Sequence, residues 1–292
     1  AIDGQLAVPH GLGAFHLDRG RGQQHQDRIL ADIRMGDGKA VAAAEVLLAG
    51  EASPEEFREF AESASEEMDR LGRMIEITVK LLLAYLLGSV MGGLVLGRLT
   101  GTGDLRQSGS GNAGATNALR TRGKRFGLAV LAIDALKGVF AVLLIPLLPW
   151  PLDEAITVPA RRIALARGVA APVGHIAPVF FGFAGGKGAA TLLGVCIVTV
   201  PAAVPWALLG FLATLVLSGY AGLSTLMAAL LIVLYVACGS APGLLSPLGG
   251  FAVAMFALVV WTHRENLLRM LRGEESRFER AMLWRRWRES RS

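Results

Sequence analysis

From Met74 onward the chain alternates long apolar runs with short polar breaks. A membrane span takes ~20 mostly apolar residues, matching a hydrocarbon core about 30 Å thick. The runs predict spans near 75–97, 126–149, 163–182, 189–203, 204–219, 222–238 and 247–262. The expected fold class is therefore all-α: a polytopic membrane helix bundle of about seven transmembrane helices with short polar loops. Pro201 and Pro205 either separate two short helices or kink one long one, so the count is six or seven. Gly88, Gly92, Gly93 and Gly97 in the first span would let helices approach closely.

Residues 1–73 follow another pattern, rich in Asp, Glu, Arg, Gln and Gly, with no run long enough to cross a bilayer. Within them, 54–70 (PEEFREFAESASEEMDR) predicts one amphipathic helix opening at Pro54 behind Ser53. The segment lacks the apolar core of a secretory signal. His10, His16 and His25 have no regular ligand spacing and read as solvated surface residues. The expected organisation is a poorly ordered polar extension over 1–73, a transmembrane domain over 74–280 and a basic tail over 281–292. The extension reads as an upstream mis-called start or a dispensable appendage, with a regulatory arm as the weaker reading.

Composition agrees with membrane burial. The chain is 53% hydrophobic and 18% charged, with a mean hydropathy of +0.48. Its net charge of +5 comes mostly from arginines flanking the apolar runs, which set topology and meet anionic lipid rather than nucleic acid. Arg98, Arg106, Arg120, Arg122, Lys124 and Arg125 follow the first span, and nine arginines follow the last. The positive-inside rule places both regions in the cytoplasm and, with seven spans, the N-terminus outside. Cys196 and Cys238 lie in apolar stretches and read as small buried residues, not a disulfide framework.

Three polar segments interrupt this pattern at exits of odd-numbered spans, on one face. The first is SGSGNAGATNALR, 108–120. Gly109, Gly111 and Gly114 permit positive φ and close backbone approach, and successive N–H groups form anion-binding nests. Ser110, Asn112, Thr116 and Asn117 add side-chain donors, and Arg120 offers a planar fork for phosphate or carboxylate. The second is GHIAPVFFGFAGGKGAAT, 174–191. Gly185, Gly186 and Gly188 surround Lys187, just before a helix start near Ala189 whose N-terminus favours anions. It is not a nucleotide P-loop, since Phe181 and Gly188 stand where Gly and Ser or Thr are required. His175 is balanced between a site role and a helix contact. The third is HRENLLRMLRGEE, 263–275, with His263, Glu265 and Asn266 directly after the last span. Inside the second span, Asp134 and Lys137 share a helical face, with Lys137 ~17 Å along the axis from Phe126. Such a pair is either a functional group or an internal pin between helices. Arg167 early in the third span pairs or snorkels.

Together these segments resemble the bacterial acyl-phosphate:glycerol-3-phosphate acyltransferases, integral membrane enzymes of phospholipid synthesis. The likeness covers about residues 74–280: Ser108 to Arg120 match the family's first motif, Gly174 to Thr191 the second, and His263 through Glu265 and Asn266 to Gly273 and Glu275 the third. Departures are Ala177 for Phe, Ala184 for Lys, Leu267 for Ile, and Trp261-Thr262 before His263 where Arg is common. Ala184 is expected to weaken anion attraction at the second motif.

The resemblance implies a seven-helix multi-pass protein of the bacterial inner membrane, its site facing the cytoplasm. It implies acyl transfer from acyl phosphate to the 1-hydroxyl of sn-glycerol 3-phosphate, giving lysophosphatidic acid and phosphate. No cofactor, metal, nucleic acid or obligate protein partner is expected, only the two substrates and membrane lipid. The expected catalytic set is Ser110, Arg120, Lys187, His263 and Asn266. Phosphate binding is expected from Gly109, Gly111, Asn112, Gly114, Thr116, Asn117, Gly185, Gly186 and Gly188, with Asp134, Lys137, His175 and Glu265 in support. Soluble-face glycerolipid acyltransferases pair a His with an Asp five positions on; here Phe180 follows His175 and Leu268 follows His263 at that distance. The expected base is the substrate's own phosphate, with His263 as competitor and Asn266 positioning the acceptor. The rival readings are an acyl-CoA-dependent acyltransferase, which would need a nucleotide-binding surface, and a small anion or lipid transporter.

Overall fold

The computed structural model describes residues 54–149, 160–239 and 243–282. The readings made for 1–53, including His10, His16 and His25, and for the end of the basic tail, 283–292, lie outside the described residues. The chain divides into two units, Ala1–Met74 and Ile75–Ser292. In the first unit the described residues are the opening turns of one helix. This helix, α1 (Pro54–Ser89), starts at the predicted proline but does not stop at 70.

In the second unit α1 is followed by α2 (Gly92–Leu99), α3 (Ala115–Arg122), α4 (Lys124–Leu143), α5 (Ala160–Ile176), α6 (Ala189–Thr199), α7 (Val204–Ser218), α8 (Ala221–Gly239) and α9 (Pro247–Leu271). No strand occurs among the described residues. The all-helical expectation therefore holds, but seven full-length spans are not found among the described residues. Among the described residues four helical stretches are long and apolar enough to cross a membrane: 124–147, 164–181, 201–218 and 221–239. A fifth exists if α1 and α2 count as one span bent by 49°. The predicted fourth span, 189–203, is α6, whose 11 residues reach only about 16 Å. Pro201 and Pro205 thus separate α6 from α7, with a short 3-10 turn over Pro201–Ala203 between them. The predicted seventh lies in α9, which opens on Pro247, Gly249 and Gly250 and runs into His263, Arg264 and Glu265 after its apolar stretch, so that stretch is diluted at both ends.

The first span, expected as one run near 75–97, breaks at 90–91. Breaking a helix in lipid frees backbone groups that must find partners. Here α4 supplies them. Lys137 Nζ donates to Gly88 O at 2.8 Å and Val90 O at 2.7 Å, and Asp134 Oδ1 accepts from Gly92 N–H at 3.2 Å. Lys137 also lies 3.1 Å from Asp134 Oδ1, so its three N–H groups are fully used. Of the two readings open for this pair, the described geometry is the pin between helices.

Close backbone contact organises the rest. The α4–α6 pair is the most extensively packed, followed by α7–α8 and α8–α9. A Cβ at Gly138 would overlap Thr191 O, and one at Gly194 would overlap Ala135 O, so these two glycines let α4 and α6 touch main chain to main chain. Large apolar residues point outward instead: Leu128 is 61% exposed and Leu209 60%. Small residues inside and leucines outside is the arrangement lipid demands. Cys196 is buried as expected, whereas Cys238 is exposed near the end of α8; both are free thiols.

Candidate active site

The first polar segment is a loop tied to itself. Asn117, 2% exposed, donates through Nδ2 to Leu105 O (3.1 Å), Ser108 O (2.9 Å) and Asn112 O (2.8 Å). Its Oδ1 accepts from Ser110 N–H at 3.0 Å. Gly111 N–H is bonded to Ser108 O at 3.2 Å and Gly114 N–H to Asn112 Oδ1 at 2.8 Å. The expected nest is therefore largely spent inside the loop, and Asn117 clamps the loop instead of offering donors to a ligand. Gly109, at φ +60, faces Asn117 and leaves no room for a side chain. What the loop delivers is the start of α3. Its N-cap, Gly114, makes no side-chain cap, so the first-turn N–H groups of Ala115 and Thr116 are not answered by a capping side chain.

The second segment folds back on α5. Gly186 N–H donates to His175 O at 3.0 Å, and a Cβ at Gly185 or Gly186 would overlap His175 itself. These two glycines thus seat the loop on His175 and do not front the ligand space. His175 Nδ1 lies 3.2 Å from Thr191 Oγ1 in the first turn of α6 and 3.6 Å from Asp134 Oδ1. The expected role for His175 becomes a joint between α5, α4 and α6. Gly188, at φ +75, is the N-cap of α6 and again brings no side-chain cap. Arg106 binds the two segments together: held by Asp104 at 2.8 Å, it donates to Phe181 O at 3.2 Å and Ala184 O at 2.9 Å. The Arg106 guanidinium keeps the Asp104 carboxyl below the usual carboxylate range.

The third segment meets the second directly. Lys187 Nζ donates to Asn266 Oδ1. Asn266 Nδ2 donates to Glu275 Oε1 at 2.6 Å, and Arg269 Nε to Glu275 Oε2 at 2.8 Å. Burial and the Arg269 charge push the Lys187 ammonium down to about 8, against the opposing pull of Glu275 and Glu265. His263 Nδ1 lies 2.9 Å from Val259 O, a pure acceptor, so Nδ1 carries the proton in the neutral ring and Nε2 holds the free lone pair. Glu265 was expected to support the site beside a cation. Its side chain is 63% exposed with only a 3.9 Å approach to Arg264, and Glu275 takes that place. Only the loop turn at Gly273, with φ +73, could have distinguished the two carboxylates.

One cavity of about 280 Å³ gathers these parts. At its polar end stand Ser110, Asn112, Thr116, Asn117 and Arg120, then Lys187 and Gly188, then His263, Asn266 and Glu275. Asp134 and His175 also reach it, while Lys137, Glu265, Gly109, Gly111, Gly185 and Gly186 are not on its wall. The remaining wall is mostly apolar: Leu192, Leu193 and Cys196 of α6; Ala207, Leu208 and Phe211 of α7; Ala228, Ala229 and Ile232 of α8. Along α8 the lining runs from Ala221 to Ile232, about 16 Å of helix. Two helix N-termini without side-chain caps, α3 and α6, meet this cavity beside two cations, Arg120 and Lys187. Each is a place where an anion is stabilised. The sequence signal for Glu275 was present in the third segment, but nothing in residue spacing ranked it above Glu265.

A helical integral membrane protein whose cavity has a cationic polar head and an apolar arm defines the class. The profile described as glycerol-3-phosphate acyltransferase matches residues 78–273, and the chain belongs to that family. A glycerol-3-phosphate acyltransferase of Geotalea daltonii is 43% identical over 197 residues, covering 68% of this chain and 95% of the relative. Its counterpart in Agrobacterium fabrum is 41% identical over 201 residues, covering 67% and 89%. The crystal structure of PlsY, an integral membrane glycerol 3-phosphate acyltransferase, in its glycerol 3-phosphate form is similar with a TM-score of 0.60 and 36% identity, over 69% of this chain and 95% of that one. The lysophosphatidic acid form of PlsY is similar with a TM-score of 0.58 and 34% identity.

Proposed function

We propose that this protein transfers an acyl group from acyl phosphate to the 1-hydroxyl of sn-glycerol 3-phosphate, at a site facing the cytoplasm from the bacterial inner membrane. The observation that carries the reading is the pairing of two helix N-termini lacking side-chain caps, α3 and α6, with Arg120 and Lys187 at the head of a cavity whose other walls are apolar. Two anion seats and one greasy arm suit two phosphoryl groups and one acyl chain. An acyl phosphate is a mixed anhydride with a good leaving group, so the site's main work is holding the reactants in attack geometry and neutralising charge.

The glycerol hydroxyl oxygen attacks the acyl carbonyl carbon, the bond from that carbon to the phosphate oxygen breaks, and inorganic phosphate leaves. The hydroxyl proton passes to a phosphate oxygen of the substrate. His263, 4% exposed with Nδ1 committed to Val259 O, keeps the Nε2 lone pair free and is the competing acceptor. Ser110 and Thr116 are hydroxyl donors for phosphoryl oxygens at the polar end. Asn266 acts through Lys187, holding the ammonium between the loop and α9. In this reading Asn117, His175 and Asp134 hold the loops that carry the anion seats.

Membranes containing the protein, supplied with glycerol 3-phosphate and either palmitoyl phosphate or palmitoyl-CoA, test the donor. Lysophosphatidic acid and phosphate are expected from palmitoyl phosphate. Product only from palmitoyl-CoA would replace the donor, and product from neither would leave a transporter standing.

A further inference from the structure

Beyond α9 the chain turns at Gly273 and crosses back over the polar end of the bundle. Glu274 N–H donates to Arg269 O at 2.8 Å, closing the helix. Glu275 then meets Asn266 and Arg269. Arg277 Nε donates to Tyr220 Oη at 2.8 Å, with its guanidinium 4.7 Å from the centre of the Tyr220 ring. Phe278 N–H donates to Gly219 O at 2.8 Å, which ties the strand of chain to the α7–α8 turn. Met282, 1% exposed, packs against Gly219. Residues 273–282 thus form a strap fixed at three points: α9, the α7–α8 turn and α3.

The third point concerns the chemistry. The Arg120 guanidinium lies 4.7 Å from the centre of the Phe278 ring, and its only hydrogen bond among the described residues is a long one, 3.5 Å from Nη2 to Ser276 O. Arg120 is a long exposed side chain in the last turn of the eight-residue α3. Without support its rotamer freedom would have to be lost when an anion binds. Stacking on a ring whose backbone is hydrogen-bonded removes that freedom beforehand, and the flat face of guanidinium is suited to it.

We propose that Phe278 is a positioning residue: the strap presents its ring as a platform that holds Arg120 at the cavity for a phosphoryl group. The inference rests on the phosphate role of Arg120 in the proposed function. Phe278 lies past residue 273, where the family match ends, and outside the three motifs.

The test is steady-state kinetics with palmitoyl phosphate and glycerol 3-phosphate varied in turn. Arg120→Lys keeps the charge, loses the fork and identifies the substrate whose KM depends on Arg120. Phe278→Leu keeps apolar volume but removes the ring; it is expected to raise that same KM about three- to fivefold, with kcat within twofold, the size of an exposed cation–π contact. Phe278→Tyr is expected to restore the parent KM. In an Arg120→Ala background, Phe278→Leu is expected to add nothing. A normal KM for Phe278→Leu beside a defective Arg120→Lys overturns the platform while leaving the site reading intact, and so does a Phe278→Leu effect that persists in Arg120→Ala. If Arg120→Lys changes neither KM, the phosphate role of Arg120 fails and the platform fails with it.

Discussion

Replacing Asn117 by alanine removes three hydrogen bonds' worth of contact: two Nδ2 hydrogens shared among Leu105 O, Ser108 O and Asn112 O, and one bond accepted from Ser110 N–H. Each is worth a net 0.5–1.5 kcal/mol in general, about 1.5–4.5 kcal/mol for the set. Only the contact with Leu105 O is fully buried; the other contacts are partly accessible, so water replaces part of what is lost. The lower half of the range, about 2–3 kcal/mol, is therefore expected. That energy holds the loop against the start of α3, not the packing of the membrane helices. The expected outcome is a loss in kcat/KM of about 30- to 150-fold, at 1.4 kcal/mol per tenfold, with little change in thermal unfolding in detergent. Asn117→Asp is expected to be at least as damaging, because a carboxylate would face three carbonyl oxygens. Initial rates with palmitoyl phosphate, varying glycerol 3-phosphate, measure it. An Asn117→Ala enzyme within threefold of the parent kcat/KM would refute the clamp.

Three further outcomes follow. Lys187 carries its proton below a pKa of about 8 and loses it above, so kcat/KM should fall as pH rises through 8; Lys187→Arg, which does not titrate there, should move that falling limb upward, and an unmoved limb would assign it elsewhere. His263→Ala should leave measurable turnover if substrate phosphate takes the proton; complete loss of turnover with unchanged glycerol 3-phosphate binding would make His263 the base. Gly138→Ala should lower the unfolding temperature in detergent, since a Cβ overlaps Thr191 O and forces α4 from α6 at a cost of about 1–3 kcal/mol; an unchanged temperature would show that the helices already have room.

The meeting of the three polar segments was legible in the sequence, because polar clusters at exits of odd-numbered spans can share a face. Ser110, Lys187 and Asn266 line one cavity as that reasoning required. The Asp134–Lys137 pair was visible too, since i,i+3 spacing on a helix makes neighbours. What it grips was not. A hydropathy window reads side chains, and the break between α1 and α2 is a backbone event answered by Lys137 from 47 or more positions away. The same limit made 189–203 read as a span, because apolar content does not reveal that α6 stops after 11 residues. Glycines misled in a related way. Gly185 and Gly186 look like phosphate-cradle residues, yet their freedom is used to pack on His175. Asn117 looked like a donor for ligand because a sequence shows how many hydrogen bonds a residue can make, not where they are spent.

The account's central claim is that α3 with Arg120 and α6 with Lys187 form two separate seats for phosphoryl groups in one cavity. An experimental structure of this protein with bound glycerol 3-phosphate tests it most directly. The account predicts the phosphorus within hydrogen-bonding reach of the first-turn N–H groups of α3 or α6 and of the neighbouring cation, with the glycerol hydroxyls directed toward the apolar arm. A phosphoryl group outside the reach of both helix starts and of both Arg120 and Lys187 would contradict it.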